Sequence, residues 1–227
     1  MKYLWMLLFL AQPLAAQTFS VIHEKRLWKD GRGTIEITDK GIRFVSEKEK
    51  DSQTWLYRDI QHFDRISGKE FTILSYEDEA RYLGRDKSYH FVITKGELTE
   101  EIFRKIAAKL DSPVTDRMPP NNVAAGYEIP VKHLHTFGGC EGVLQFTQDS
   151  IIYATKNRKD AREWRLDRDI QSVWSSDPYQ LEIQVYENNR REFSRTRIYN
   201  FQLKEPLDWK MYRALKLRLY ALNQRIA

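Results

Sequence analysis

One stretch of this chain is used twice. Gly33, Thr38, Ile42, Lys50, Asp51 and Trp55 recur as Gly142, Thr147, Ile151, Lys159, Asp160 and Trp164 at a constant offset of 109. Arg58, Asp59, Ile60 and Gln61 recur one residue further on, as Arg168, Asp169, Ile170 and Gln171. The match continues as Ile73, Tyr76, Glu77, Tyr89 and Phe91 return as Ile183, Tyr186, Glu187, Tyr199 and Phe201, and it ends as Leu98, Arg104 and Leu110 return as Leu207, Arg213 and Leu219. A nearly ungapped period of about 110 residues marks a tandem duplication, and a unit of that length is the size of one independently folding domain. Any fold proposed for this chain must therefore be one that closes on itself twice.

Within each copy the apolar residues first alternate and then change period. Thr34 to Thr38 and Ile42 to Ser46 read as strands of a hairpin around Asp39, Lys40 and Gly41, the glycine being free to take positive φ. Gly31 and Gly33 read as a glycine turn before that hairpin. Strands follow around Trp55 and Tyr57, over Ile60 to Ile66 and Phe71 to Tyr76, and over Tyr89 to Thr94. The period then becomes helical through Leu98, Ile102, Phe103, Ile106 and Leu110, with Thr99 as cap. The second copy repeats the order and closes with a helix whose inner stripe is Met211, Tyr212, Leu215, Leu219 and Leu222. Leu217 and Tyr220 lie off that stripe, so this helix has a second apolar surface to cover.

Met1 to Ala16 has the form of a secretory signal peptide: Lys2, a short apolar run, then Pro13 and small residues before Gln17. The run is far shorter than the roughly 20 residues that span a bilayer. The expected layout is a signal peptide at 1–16, a first domain at 17–111, a linker at 112–126 rich in proline and asparagine, and a second domain at 127–227. The location implied is periplasmic or secreted, with no transmembrane segment after cleavage.

Charge narrows the partners. The net charge of +5 comes almost wholly from the second copy, with 17 basic and 13 acidic residues from 119 onward against 19 and 19 between 17 and 118. That surplus allows weak contact with anionic surfaces but falls short of the basic stripe of a nucleic-acid binder, so no nucleic acid is expected. Cys140 is the one cysteine, so no internal disulfide can form.

About seven short antiparallel strands and one amphipathic helix per copy give a mainly β class with one C-terminal helix per repeat. The order resembles the pleckstrin-homology superfold and its GRAM-like relatives. The resemblance rests on the glycine-led hairpins (Gly33 to Phe44, Gly142 to Tyr153), on an aromatic before an Asp-Ile pair (Trp55, Asp59, Ile60; Trp164, Asp169, Ile170), and on a last strand with Tyr-x-Phe before the helix. It implies two tandem PH-like bent-sheet barrels. The second copy is also similar to a module of exported bacterial proteins carrying His-x-His-x-x-Gly-x-Cys-x-Gly, here His133, His135, Gly138, Cys140 and Gly142. Of that segment the first copy is read as keeping only Gly33.

His133 and His135, two apart on a strand, project from one face and with Cys140 could supply a zinc or copper set. With no evident second-shell acceptor to orient the imidazoles, the sequence leads us to expect no tight metal site and no cofactor. Arg158, Arg162 and Arg165 form a basic run interleaved with Asp160, Glu163, Asp167 and Asp169, either an internally paired face or an anion site. Trp55 and Trp164 read as core anchors, and Asp59 and Asp169 as turn hydrogen-bond acceptors. No Gly-x-Ser-x-Gly, His-Glu-x-x-His or glycine-rich phosphate loop is present. The expected function is an exported, non-enzymatic binding or assembly module of the cell envelope with a protein or peptide partner. Candidate contacts are Leu217, Tyr220, Arg158, Arg162 and Arg165. The alternatives are a metal-binding protein using His133, His135 and Cys140, or an enzyme without a recognisable motif.

Overall fold

The computed structural model describes residues 17–25, 29–79, 85–119, 124–187 and 196–224; the signal-peptide reading of 1–16 lies outside them. In the first copy the strands are β1 (Gln17–Glu24), β2 (Gly31–Ile37), β3 (Gly41–Ser46), β4 (Gln53–Leu56), β5 (Ile60–Ser67), β6 (Glu70–Asp78) and β7 (Asp86–Lys95), followed by helix α1 (Glu100–Ala107). A short strand, β8 (Val114–Asp116), separates them from β9 (Tyr127–Leu134), β10 (Gly139–Phe146), β11 (Ser150–Thr155) and β12 (Arg162–Arg165). The second copy then runs through β13 (Ile170–Trp174), β14 (Gln180–Val185), β15 (Arg197–Leu203) and helix α2 (Trp209–Asn223). The protein is mainly β. Its strands are hydrogen-bonded in the order β5-β6-β7-β1-β2-β3-β4 in the first copy and β13-β14-β15-β9-β10-β11-β12 in the second, so the duplication extends to the pairing pattern.

The alternation seen in the sequence is the alternation of burial. On β1 the inward row is Phe19, Val21 and His23, and on β9 it is Ile129, Val131 and His133, as a period of two requires. Each copy has its own apolar core, one from Phe19 to Val114 and the other from Ile129 to Leu219. Trp55 and Trp164 are each 1% exposed at their centres, with the indoles 4.7 Å from the rings of Tyr89 and Tyr199. Thr99 caps α1 by accepting from the Ile102 amide, and Asp208 caps α2 by accepting from the Lys210 and Met211 amides.

The glycines act differently from the sequence reading. Gly31 and Gly33 lie inside β2, and neither they nor Gly41 have positive φ, which among the described glycines occurs at Gly96 and Gly138. What Gly33 provides is clearance: a Cβ there would lie 2.2 Å from the Val45 carbonyl and 2.7 Å from the Phe44 ring. Gly142 is held the same way, its absent Cβ being 2.4 Å from the Ala154 carbonyl and 2.6 Å from the Tyr153 ring. In both copies an aromatic ring on the next strand lies across the bare glycine backbone.

The stretch expected to be an aperiodic linker contains β8, whose three residues are all buried. It pairs in parallel with β5 and antiparallel with β12, joining the strands of both copies. Three residues are too few to show a period, and the strand forms because its polar groups find partners. Arg65 Nε donates to Asp116 Oδ1 at 2.8 Å while its guanidinium also reaches Glu100 and sits 4.3 Å over the Phe103 ring. His62 Nε2 and Thr115 Oγ1 are 2.9 Å apart, and the Val114 amide donates to Asp169 Oδ1 at 3.1 Å. Arg104 to Glu163, and Arg168 Nη1 to the Ala107 carbonyl at 2.8 Å, add direct contacts between the copies.

Two stability changes follow. Trp164→Ala should cost about 3–5 kcal/mol in urea unfolding, whereas a loss under about 1 kcal/mol would show that the indole is not a core anchor. Arg65→Ala should also cost about 3–5 kcal/mol, because it leaves Asp116 buried and uncompensated. The double change Arg65→Met with Asp116→Leu should cost less than Arg65→Ala alone, and a double variant worse than the single would remove that reading.

Candidate functional site

Period two puts His133 on the inward row of β9, and His135 just past the end of the strand falls on the same side. Asp160 closes the Asn157–Asp160 turn that leads into β12, and that turn delivers its carboxylate to both imidazoles. His133 Nδ1 is 2.8 Å from Asp160 Oδ2 and 3.0 Å from Oδ1, and His135 Nε2 is 3.2 Å from Oδ2. His133 and Asp160 are buried, while the His135 side chain is 33% exposed. Burial by itself would raise the Asp160 carboxyl, but the His133 hydrogen bond and the neighbouring His133, His135 and Arg162 outweigh it and hold the group below its ordinary value. An ionised carboxylate only accepts, so His133 presents its proton on Nδ1 and His135 on Nε2. Among the described residues these three side chains bring their ligand atoms within 4.8 Å of one another. Cys140 is not among them: its Sγ accepts from Asn157 Nδ2 at 3.1 Å. The sequence had already paired Asp160 with Asp51, but nothing in the linear order placed it beside His133.

The first copy holds a second version of this site, which corrects the reading that it keeps only Gly33. His23 pairs with Phe91 across β1 and β7 as His133 pairs with Phe201 across β9 and β15. Each histidine sits in the same aromatic box, His23 among Phe44, Tyr89 and Phe91 and His133 among Tyr153, Tyr199 and Phe201. At the place of His135 stands Lys25, whose Nζ is 2.9 Å from Asp51, the counterpart of Asp160. His23 Nδ1 is buried without a hydrogen-bond partner. Burial first, then the charges of Lys25 and Lys87, lower its pKa to about 4.

A second polar set is also repeated. Glu187 takes the Tyr199 hydroxyl and lies 3.2 Å from Arg162 Nη2 and 3.3 Å from Arg197 Nη1. Burial opposes ionisation, but Arg162, Arg197 and the Tyr199 hydrogen bond together pull its carboxyl down to about 2. In the first copy Glu77 takes Tyr89, Gln53 and Lys87. Arg162 is thus buried in an internal pair rather than facing solvent with Arg158, and Arg165 is paired with Asp167. Asp59 and Asp169 accept from the Leu56 and Arg165 amides, the turn role read for them.

Leu217 and Tyr220 are 62% and 66% exposed, so the first copy does not cover this face of α2. Between the copies lies a cleft of about 610 Å³. Its walls include Gln61 and Tyr76 from the first copy and their equivalents Gln171 and Tyr186 from the second, with Leu74, Pro113 and Ile170 adding apolar surface. Sequence reasoning missed it because it depends on how β8 sets one copy against the other.

The sequence matches no protein-family profile and no curated protein. Among solved structures the chain is similar to the C-terminal domain of an unknown protein from Leishmania infantum, at 13% identity over 43% of this chain and 84% of that one, with a TM-score of 0.31. It is also similar to the Spt16D Pob3N heterodimer, at 12% identity over 82% of this chain and 94% of that one, with a TM-score of 0.30. Among the described residues no helix is long and apolar enough to cross a membrane.

The contrast between the two histidines is measurable. Folded His23 titrates near 4 against an ordinary 6.5, so between those values the unfolded chain binds a proton that the folded chain refuses. Stability contributed by this site is therefore present above about 6.5 and lost as pH falls towards about 4. His23→Leu should flatten urea-unfolding stability across that window, and a variant as steep as the native protein would assign the loss to other groups.

Proposed function

We propose that this chain is an exported, non-enzymatic binding or assembly module of the cell envelope, built from two PH-like repeats, and that its ligand lies in the cleft between them. The cleft is the observation that carries this reading. At about 610 Å³ it falls within the roughly 300–1,000 Å³ of ligand pockets. It is walled by the same residue types from both copies, so the duplication itself supplies the site. Two tyrosine rings with Leu74, Pro113 and Ile170 offer apolar area, and Gln171, Asp111 and Asn223 offer hydrogen-bonding groups at its margin. That mixture suits a peptide segment of a partner protein better than an anion. The PH-like class is supported by the strand order, in which the first strand of each copy lies between its last strand (β7, β15) and the glycine-led hairpin (β2–β3, β10–β11), with a helix closing the copy. The exposed Leu217 and Tyr220 on α2 support a further contact surface in an assembly.

A photo-crosslinking residue placed at Gln171 should capture an envelope polypeptide from cell extract, while one placed at exposed Lys40 should not. Tyr76→Ala and Tyr186→Ala should each weaken that capture by about 2 kcal/mol, roughly 30-fold. Capture unaffected by both tyrosine changes would exclude the cleft. No capture, together with a positive hydrolase screen, would overturn the binding reading.

A further inference from the structure

The comparison of the two histidine boxes assigns a chemistry to the second one. Both copies set a carboxylate at the same point, Asp51 partly exposed and Asp160 buried, and a buried charge must be compensated. In the first copy the compensation is permanent, the ammonium of Lys25 at 2.9 Å. In the second copy His135 stands in place of that lysine, and the nearby guanidinium of Arg162 is engaged by Glu187. The second box thus has the carboxylate of the first without its lysine.

We propose that His133 Nδ1, His135 Nε2 and the Asp160 carboxylate bind one divalent first-row transition ion, with zinc the fitting case, the ion taking the place of the proton on each nitrogen as that ring's proton moves, through solvent, to its other nitrogen. The donor set of two imidazoles and one carboxylate suits such an ion, and three protein ligands plus a water is the pattern of an open zinc site. With ligand bonds of about 2.0–2.2 Å, neighbouring ligand atoms in a tetrahedral site stand about 3.3–3.5 Å apart. The nitrogen–oxygen separations of 2.8 and 3.2 Å lie within an ångström of that spacing, and all three ligand atoms fall within 4.8 Å of one another. His133 and Asp160 are fixed by burial, and the partly exposed His135 leaves the site open for ion entry and a bound water. Here Asp160 takes the place that the sequence offered to Cys140, and the proposal departs from the expectation of no tight metal site. The site shares no residue with the cleft, so it stands or falls apart from the binding reading.

Zinc titration of tag-free protein by calorimetry, with metal analysis after dialysis, tests this directly. The native chain should bind one zinc. Asp160→Asn and His135→Lys should each lower zinc affinity by more than the roughly 10–100-fold typical of losing an outer partner. His135→Lys should keep the native melting temperature, because Lys25 already shows an ammonium satisfying the equivalent carboxylate, so its loss of zinc cannot be ascribed to unfolding. Cys140→Ser should bind zinc as the native chain does. Absence of stoichiometric binding by the native chain, zinc retained in both ligand variants, or zinc lost in Cys140→Ser would overturn the assignment.

Discussion

Three buried residues, Val114, Thr115 and Asp116, hold the two cores in one frame. A strand so short contributes little apolar area, and burying its polar groups would be costly if any were left alone. Each is answered: Asp116 by Arg65 and Thr115 by His62, both of β5, and the Val114 amide by Asp169 at the entry to β13. The answering groups belong to both copies, so the strand is satisfied only when the copies are assembled around it. The cleft is a consequence, since Gln61 and Gln171 face the same space only in that assembly.

Inside each copy a second constraint operates. The strands of each copy pack over an aromatic cluster, and the cluster lies over a glycine that has no room for a Cβ. Around that cluster the polar groups are arranged twice with altered chemistry. Glu77 and Glu187 each accept from the equivalent tyrosine, but the supporting pair is Gln53 and Lys87 in one copy and Arg162 and Arg197 in the other. Asp51 and Asp160 differ in the same manner, one answered by lysine and the other by two histidines. The two copies share the strand pairing and the acidic groups and differ in the partners that neutralise them. At Asp160 the lysine of the first copy has no counterpart, and two histidines stand in its place.

From the sequence alone one could read the duplication, the strand-then-helix order of each copy, the burial of Trp55 and Trp164 and the turn roles of Asp59 and Asp169. Those features are local or periodic: identity at a constant offset, alternation of two, a helical stripe, a cap. Tertiary structure decided what depends on pairing between distant segments. It turned part of an apparent linker into a buried strand, withdrew Arg162 from the surface, set Asp160 rather than Cys140 against the two histidines, and exposed His23 as the counterpart of His133. The physical reason is the same in each case. A side chain's partner is chosen by which strands lie side by side, and a spacing of 27 residues between His133 and Asp160 carries no sign of the 2.8 Å that separates them once the sheet has folded.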